Sequence, residues 1–338
     1  MLQISKVWGI GDKTAEKLVK MGFHSVRDLR EKGLHLLNAQ QLIGLNYYEE
    51  LLEKIPRAEV ERIYNTVNES CQKILPGAEC IVCGSYRRGR PESGDVDVLI
   101  LPPPVSSTHA ATTSSSSSEV PTVVKDHVVS LLNEHFSALP CLVKALTETG
   151  FLTDHLSLPK GYHKVISEGK AAELDTNVAP EHPAQVEDSS DHANWNADGD
   201  DEPHVLKGWE RHSYMGVCKL QDDPTSLHRR IDMKVYPREL GAFATLYFTG
   251  SDHFNRSMRL YAKRNGFHLS DKGLFRAARD NYDNPVNVSG IIPCRTEREI
   301  FQHLGLEYKE PWDRNSADVI ASDAASAAAR DKKSSNSD

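Results

Sequence analysis

Two aspartates separated by one residue, Asp95 and Asp97, stand at the start of an apolar run over residues 96–101. Because successive side chains of a β-strand point to opposite faces, both carboxylates are predicted to project from the same face. Two close carboxylates repel each other unless a cation neutralises them, and Mg²⁺ prefers oxygen ligands and also binds phosphates. Pairs of aspartates are also common on protein surfaces, so the pair alone leaves a plain solvated strand as an alternative.

The sequence GSYRRG at residues 84–89 precedes this pair. It forms a predicted turn between two short apolar runs, residues 81–83 and 96–101, that are typical of buried strands. Ser85 offers a hydroxyl group, and Arg88 offers a forked donor for phosphate oxygens. The turn, the arginine and the aspartate pair together predict a nucleotidyltransferase site.

A third carboxylate comes from Asp232, in the sequence RRIDMKV at residues 229–235. Strand alternation places Asp232 on one face with Arg230 and Lys234, and the apolar side chains on the other. Phosphoryl transfer with two metal ions needs a ligand on the side of the attacking hydroxyl, and Asp232 is the candidate. An acid between two bases also fits an exposed, salt-bridged strand.

The sequence LYFTGSDHFNRSMR joins two predicted helices. Tyr247 and Phe248 could stack on a sugar and a base, while Asn255 and Arg259 lie four residues apart on one helical face. The alternative is that the aromatic side chains pack in the core and that Gly250 caps a helix C-terminus.

Near the N-terminus, the sequence VWGIG at residues 7–11 precedes a predicted helix with the apolar residues Ala15, Leu18 and Val19. A second short helix is predicted around residues 26–29. Glycines let the backbone approach a phosphate closely, and the amides of the following helix N-terminus face the anion. The pattern predicts a helix-hairpin-helix that binds the duplex backbone without reading sequence. A plain glycine turn between helices is the alternative.

The charge of the chain is unevenly distributed. The 338 residues carry a formal net charge of −8, and the length suggests about two domains. Residues 102–210 hold 6 lysines, no arginine and 17 acidic residues, which is more than the whole deficit. Because affinity for nucleic acid depends on local phosphate neutralisation, the net charge does not exclude a DNA partner. No apolar run approaches the ~18 residues of a membrane span, so no membrane partner is expected.

Two segments have the composition of inserts. Residues 102–121 are rich in Pro, Ser and Thr, and residues 155–211 are polar and acidic. Both are predicted to be disordered, as is the tail at residues 316–338. Between the two inserts, the apolar spacing of residues 123–136 predicts an amphipathic helix.

The six cysteines are scattered, which favours a reducing compartment over a disulfide framework. Cys80 and Cys83 have the spacing of metal ligands, but no second pair accompanies them. We therefore interpret them as core residues on opposite faces near a buried strand.

The sequences GSYRRGRPESGDVDVLI, RRIDMKV and YFTGSDHFNRSMR, in this order behind VWGIG, resemble the family X DNA polymerases. The resemblance covers about residues 1–101, 123–154 and 211–315. It implies an α+β fold, in which a nucleotidyltransferase palm with a mixed β-sheet follows a helix-hairpin-helix domain and precedes a small α/β thumb-type domain. The implied domain bounds are residues 1–56, 57–238 and 239–315.

The resemblance also implies roles for single residues. Asp95, Asp97 and Asp232 would bind two Mg²⁺ ions, with Mn²⁺ as an alternative, and Asp232 would help to activate the primer 3′-hydroxyl. The residues implied to hold the triphosphate are Arg57, Ser85, Arg88 and Gly94. Those implied to line the sugar and base of the incoming nucleotide are Tyr247, Phe248, Gly250, Asp252 and Asn255.

Contacts to DNA are implied at two places. Arg230 would support the primer terminus, and Arg259 would lie in the minor groove beside the templating base. The implied contacts of the hairpin are Ser5, Val7, Gly9, Ile10 and Gly11. Among them, the carbonyls of Ser5, Val7 and Ile10 would hold a monovalent cation, K⁺ or Na⁺, that bridges to a primer phosphate.

The function implied first is a DNA-directed DNA polymerase that fills gaps during repair, acting on gapped or primer–template DNA and deoxynucleoside triphosphates. Template-independent terminal transfer and a non-catalytic module that binds DNA ends are the alternatives, and the complete set of carboxylates counts against the second. We expect a monomer, a nuclear location and repair proteins as further partners. Because the chain begins at the hairpin, we expect no deoxyribose-phosphate lyase activity.

The acidic insert falls where members of this family have a loop between palm strands that influences dependence on a template. We hypothesise that it repels DNA and modulates the use of template or partner. An inert insertion is the alternative.

Overall fold

The computed structural model of the chain describes residues 3–104, 138–159, 162–163, 212–279, 285–287 and 290–315. The helix predicted over residues 123–136, most of both predicted inserts and the tail lie outside the described residues. The helices are α1 (Asp12–Lys20), α2 (Val26–Asp28), α3 (Ala39–Asn46), α4 (Tyr48–Leu52), α5 (Arg57–Ile74), α6 (Gly84–Arg87), α7 (Ala138–Glu148), α8 (Gly241–Thr249), α9 (Asp252–Arg264) and α10 (Glu297–His303). The strands are β1 (Ile55–Pro56), β2 (Glu79–Val82), β3 (Glu92–Ser93), β4 (Val96–Leu101), β5 (Leu152–Ser157), β6 (Ser213–Cys218), β7 (Arg229–Val235), β8 (Phe267–Ser270), β9 (Gly273–Arg279) and β10 (Pro285–Asn287).

Helices α1 to α4 form an N-terminal unit with its own core, and the two helices predicted after the VWGIG sequence are both present. Ala15 and Leu18 of α1 are buried in this core. The helix α3 packs tightly on the hairpin, because a Cβ on Gly44 would overlap the backbone carbonyl of Trp8. The Gln41 side-chain amide also donates to the Gly9 carbonyl at 2.9 Å, so a side chain of α3 holds the hairpin in place.

The central element is a five-stranded sheet with the strand order β2-β4-β7-β6-β5. Strands β4 and β7 are parallel, whereas the other neighbours in this sheet are antiparallel. The mixed sheet and the α+β class predicted from the sequence are confirmed. Because parallel strands in register align their residues one by one, equivalent positions of β4 and β7 lie side by side.

The two faces of the sheet have different environments, as strand alternation predicts. One face is buried under α5 and α7, where Val96 and Val98 of β4 meet Ile231 and Met233 of β7. The opposite face carries the polar side chains of the two strands. The predicted division of β7 into an apolar face and a charged face is confirmed.

A two-stranded ribbon links the start of α5 to the loop ahead of Asp95. In this ribbon Ile55 of β1 pairs with Ser93 of β3, and Pro56 pairs with Glu92. The amide of Arg57 also donates to the Pro91 carbonyl at 3.0 Å. The ribbon brings the sequence before α5 beside the aspartate pair.

The C-terminal unit comprises α8, α9, the three-stranded sheet β10-β9-β8 and α10. Its core contains the buried aromatic side chains Phe243, Phe254 and Phe301. The helix α8 also contacts β4, where Ala244 packs against Leu99. This contact attaches the C-terminal unit to the polar face of the central sheet.

Two predicted boundaries differ from the structure. The second insert begins later than residue 155, because His155, Leu156 and Ser157 complete β5. Leu156 is buried, and His155 Nδ1 shares a hydrogen bond of 2.9 Å with the Tyr214 hydroxyl, so this polar sequence still alternates as a strand. The strand predicted over residues 81–83 runs over Glu79–Val82 instead.

All six cysteines are free thiols. Cys80 packs against the core between the sheet, α5 and α7, whereas Cys83 is buried with Leu99 and Ala244 on the opposite face. The interpretation of this pair as core residues on opposite faces is confirmed. Among the residues that the structure describes, no helix has both the length and the apolar character needed to cross a membrane.

Candidate active site

The parallel pairing of β4 and β7 sets the geometry of the aspartates, because Asp97 lies directly opposite Asp232. Asp95 precedes β4 and completes the group. One carboxylate oxygen from each of the three side chains lies within 4.8 Å of the other two. The structure thus brings together the three carboxylates that the sequence singled out.

The backbone at Gly84 makes room for this cluster. Gly84 has a positive φ of 57°, and a Cβ there would overlap the carboxylate of Asp97. The amide of Cys83 donates to the Asp97 carbonyl at 2.9 Å, which fixes the turn against β4. Glycine is therefore required at the first position of the GSYRRG sequence for two reasons, the close approach and the left-handed conformation.

The charge of the cluster is only partly balanced. Burial, with repulsion from Asp232, raises the pKa of Asp97 to about 7, although the positive charges of Lys234 and Arg88 oppose the shift. The Oδ1 atom of Asp232 is buried and has no hydrogen-bond partner among the described residues. An orphaned carboxylate oxygen beside two further carboxylates is the donor set that Mg²⁺ or Mn²⁺ prefers, so the residues present fit divalent ions.

Arg230 and Lys234, which flank Asp232 on the same face of β7, contact different groups. The guanidinium of Arg230 pairs with the Asp95 carboxylate. The ammonium of Lys234 lies 4.4 Å from the centroid of the Phe248 ring. A simple salt-bridged strand, in which these two bases neutralise Asp232, is therefore not what the structure contains.

Arg88, predicted to hold a triphosphate, is fixed by two hydrogen bonds. Its Nη1 atom donates to the Thr249 carbonyl at 2.5 Å, and its Nε atom donates to Asn315 Oδ1 at 3.1 Å. Its guanidinium lies close to Gly250, where a Cβ would stand 3.2 Å from Nη1. The predicted triphosphate residue and the predicted sugar-binding turn are thus neighbours.

Arg87 belongs to a buried ion-pair network that the sequence analysis missed. Its guanidinium donates to both carboxylate oxygens of Glu297, at 3.2 and 2.6 Å, and to the Thr249 hydroxyl at 2.6 Å. Arg314, which is completely buried, donates to the same Glu297 at 2.6 Å. The network joins α6 in the central unit to α10 in the C-terminal unit. No local pattern reveals it, because Arg87 and Glu297 are 210 residues apart.

Lys54 is a second basic side chain beside Arg57, the residue predicted to hold a triphosphate. The guanidinium of Arg57 stacks 3.7 Å from the centroid of the Tyr86 ring and donates to the Tyr86 carbonyl at 2.7 Å. The Lys54 ammonium lies beside Gly94, 3.5 Å from where a Cβ would be. Both are basic residues flanking Ile55 and Pro56, and the pairing of β1 with β3 brings this segment beside the loop ahead of Asp95.

Most residues of the second predicted nucleotide segment are brought together at the junction of α8 and α9. Asn255 Nδ2 donates to the Tyr247 carbonyl at 2.7 Å, and the Arg259 guanidinium lies 4.8 Å from the centroid of the Tyr247 ring. Tyr247, Asn255 and Arg259 line one small cavity of about 10 Å³. Asp252, at the start of α9, is close enough to raise the pKa of Asp97 further.

The alternative interpretation of this junction is partly correct as well. Gly250, with a φ of 66°, follows the last residue of α8 as a C-terminal cap. Phe248 packs against Tyr236, with their ring centroids 5.6 Å apart. Phe248 thus packs with Tyr236 against the core, whereas Tyr247 lies next to Arg259.

The hairpin residues Ser5 to Gly11 form one compact turn. The Val7 carbonyl accepts a hydrogen bond of 3.0 Å from the Ile10 amide, and Gly9 has a positive φ of 83°. Gly11 is the N-cap of α1. The turn is therefore a glycine-dependent hairpin followed by a helix N-terminus.

Family models match nearly the whole chain in three parts. The fingers domain of DNA polymerase lambda matches residues 2–52, the DNA polymerase beta palm matches residues 54–173 and 202–238, and the DNA polymerase beta thumb matches residues 244–315. Each match coincides with one of the three units of the fold.

Relatives match most of the chain. The chain is 34% identical over 312 residues to DNA polymerase lambda of Rattus norvegicus and 29% identical over 311 residues to DNA polymerase lambda of Arabidopsis thaliana, each covering 92% of the chain. It is 25% identical over 314 residues to DNA nucleotidylexotransferase of Xenopus laevis, which covers 93% of the chain. The chain spans 41%, 45% and 51% of the lengths of these relatives, so about half of each or less.

Proposed function

This chain belongs to the family X DNA polymerases, and from that premise we propose that it is a DNA-directed DNA polymerase that fills gaps in DNA during repair. The observation that carries the proposal is the register of β4 and β7, which sets Asp97 against Asp232 beside Asp95. The proposed substrates are gapped or primer–template DNA and deoxynucleoside triphosphates.

Asp95, Asp97 and Asp232 would hold two Mg²⁺ ions, or Mn²⁺ in their place. Such ions lower the pKa of an attacking hydroxyl and neutralise charge that develops on transferred phosphate. The orphaned Oδ1 atom of Asp232 supports its place on the side of the primer 3′-hydroxyl. The carboxylates themselves position the reacting groups, which is most of what phosphoryl transfer asks of a protein.

The triphosphate would lie between the β1–β3 ribbon and α6. We propose that Arg57, Ser85, Arg88 and Gly94 contact it, and that Lys54 is a further contact. Lys54 forms no ion pair among the described residues, so its charge is available to a phosphate. The stack of Arg57 on Tyr86 would fix the direction of its guanidinium.

The sugar and base would lie against the junction of α8 and α9. We propose that Tyr247, Phe248, Gly250, Asp252 and Asn255 line this part of the site. The hydrogen bond from Asn255 to the Tyr247 carbonyl supports the proposal, because it holds the end of α8 against the first turn of α9. Arg259, stacked near Tyr247, would reach the minor groove beside the templating base.

The primer strand would contact Arg230 and the N-terminal hairpin. The pairing of Arg230 with Asp95 keeps its guanidinium beside the aspartate cluster, which supports this contact. The carbonyls of Ser5, Val7 and Ile10 would hold K⁺ or Na⁺ against a primer phosphate. DNA affinity is then expected to fall steeply with salt, because phosphate contacts release counterions.

Template-independent terminal transfer is the second candidate activity, supported by the similarity to a DNA nucleotidylexotransferase. Single-nucleotide addition to gapped DNA with Mg²⁺, with and without a template strand, separates the two activities. We expect templated addition by the wild type and none by the Asp232→Ala variant. A wild type that binds DNA but adds no nucleotide with or without a template would instead make the chain a module that binds DNA ends.

The acidic insert between β5 and β6 is proposed to tune the use of a template by repelling DNA. Deleting residues 164–210, which leaves both strands intact, should change DNA affinity, its salt dependence or the preference for a template. Unchanged values of all three would favour an inert insertion.

We further propose that the protein is a monomer in the nucleus and that it works with repair proteins. The proposed domain bounds are residues 1–56, 57–238 and 239–315.

A further inference from the structure

Arg88 contacts the very end of the described chain. Its Nε atom donates to Asn315 Oδ1 at 3.1 Å, and its Nη1 atom donates to the Thr249 carbonyl at 2.5 Å. Within the described part of the chain, Nη2 donates to no protein acceptor. Because the guanidinium is planar, the two fixed N–H groups at Nε and Nη1 set the direction of the remaining donors, those of Nη2 among them.

Asn315 is itself held rigidly. Its Nδ2 atom donates to the Trp312 carbonyl at 2.8 Å, which closes a short turn over residues 311–315. The preceding Arg314 anchors that turn, because its buried guanidinium donates twice to the Lys309 carbonyl and once to Glu297. The acceptor offered to Arg88 therefore cannot move freely.

The same turn also contacts the start of α9. The Arg314 carbonyl accepts hydrogen bonds from the amide and the hydroxyl of Ser251, at 3.2 and 2.8 Å. Ser251 is the N-cap of α9 and stands beside Asp252. Residues 314–315 thus connect the triphosphate side of the site with the sugar side.

We infer that Asn315 is a positioning residue, which orients the Arg88 guanidinium so that the donors of Nη2 face the triphosphate of the incoming nucleotide. The inference rests on the proposed function only in naming a nucleotide as the ligand. An arginine side chain loses conformational freedom when it binds phosphate, and a neighbour that fixes it in advance removes part of that cost. Asn315 should therefore affect the affinity for the triphosphate more than the rate of transfer.

The test uses Asn315→Ala in the wild type and in an Arg88→Ala background. We expect Asn315→Ala to raise the KM for the nucleotide about 5- to 10-fold, with kcat within about twofold, as for the loss of one hydrogen bond. The Kd of inorganic tripolyphosphate, measured by calorimetry, should rise by a similar factor. In the Arg88→Ala background, Asn315→Ala should have no further effect on either constant.

Two further variants separate positioning from a general effect on the fold. Asn315→Gln keeps an amide acceptor for Arg88 Nε and an amide donor for the Trp312 carbonyl without adding charge, and it should retain most of the affinity for tripolyphosphate. Asp313→Ala alters an exposed side chain of the same turn and should leave the affinity unchanged. Thermal unfolding of each variant shows whether the turn remains folded.

Several outcomes would overturn the inference while leaving the polymerase proposal intact. These are an active Asn315→Ala variant with an unchanged KM, an effect confined to kcat, or the same loss of affinity with and without Arg88. A wild type that binds no tripolyphosphate would also overturn it. Conversely, a wild type that adds no nucleotide, but whose tripolyphosphate affinity depends on Asn315 through Arg88, would refute the proposed function and support the positioning role.

Discussion

Glu297 pairs with Arg87 of the GSYRRG turn, whereas Asp232 lies opposite Asp97 in the central sheet, and the surroundings of the two carboxylates differ sharply. Glu297 accepts three hydrogen bonds from Arg87 and Arg314, so its charge is fully compensated. Asp232 faces Asp97, and one of its buried oxygens accepts no hydrogen bond among the described residues. The first arrangement joins two units of the fold, whereas the second leaves unbalanced charge that a bound cation can satisfy.

The difference indicates how the protein divides stability and function. Removing one partner of a buried ion pair strands the other charge, which costs several kcal/mol. Removing one of several mutually repelling carboxylates relieves repulsion instead. The same chemical change, carboxylate to amide, should therefore have opposite effects at the two places.

Asp232→Asn provides the largest expected effect on activity. The substitution removes a ligand for divalent ions, and the charge stabilisation that such ions provide is worth several kcal/mol. We expect nucleotide addition to gapped DNA to fall by at least about a thousandfold, which is about 4 kcal/mol. The free energy of unfolding without metal should stay the same or rise. If the Asp232→Asn variant were active and less stable than the wild type, Asp232 would contribute to stability and not to the binding of divalent ions.

Glu297→Gln should have the largest effect on stability. The buried Arg314 and Arg87 would lose their common counter-charge, so the free energy of unfolding should fall by about 3 kcal/mol. Chemical denaturation measures it, and the matched control is Glu310→Gln. Glu310 is 40% exposed and meets Arg298 at 3.5 Å, so its substitution should cost little. If the two variants lost equal amounts of unfolding free energy, the Arg87–Glu297–Arg314 network would not be the main connection between the central and C-terminal units.

The pH dependence of stability sharpens the comparison within the aspartate cluster. The pKa of Asp97 is raised to about 7 by burial and by Asp232, above its usual value in an unfolded chain. A folded state with a raised pKa is favoured at low pH, so this contribution disappears as the pH rises from about 4 to about 7. The metal-free wild type should lose roughly 3 kcal/mol over that window relative to Asp97→Asn.

Denaturation in the presence of EDTA at pH 5 and pH 8 tests this expectation. Because the two proteins share every other titrating group, the difference between them isolates the cluster. Added Mg²⁺ should restore the wild type at pH 8 and have no such effect on Asp97→Asn. If the wild type instead became more stable relative to Asp97→Asn as the pH rises, the pKa of Asp97 would be lowered and not raised, and the negative charge of the cluster would be balanced by the protein itself.

Lys54→Ala tests whether an unpaired positive charge near the aspartate cluster also serves function and not stability. Lys54 lies beside Gly94 without an ion-pair partner in the described ranges, so its loss should leave the free energy of unfolding nearly unchanged. The KM for the nucleotide should rise about tenfold, or about 1.4 kcal/mol, for the loss of one contact between an ammonium and a phosphate. Arg57→Ala is the comparison, and a raised KM for that variant beside an unchanged KM for Lys54→Ala would assign the phosphate contact to Arg57 alone.

The sequence predicted the aspartate cluster because strand alternation is local. The period of two placed Asp232 on the polar face of β7, and the apolar residues between fixed that assignment. Lys54, Asn315 and Glu297 were not predictable in the same way. Their roles depend on the pairing of β1 with β3 and on contacts across 210 to 227 residues, which no local pattern encodes.

Glu16→Gln gives the smallest expected effect and tests whether pairing or burial sets these energies. Glu16 pairs with Lys20 one turn later on α1 at 2.7 Å, as close as the pairs around Glu297, but the side chains are 56% and 72% exposed. Water replaces the lost partner of an exposed group, so the free energy of unfolding should fall by less than about 0.5 kcal/mol. The loss should vanish in 1 M salt, where charges are screened within about 3 Å. If Glu16→Gln cost as much as Glu297→Gln, distance alone would govern these ion pairs, and burial would not explain why the pairs around Glu297 stabilise the fold.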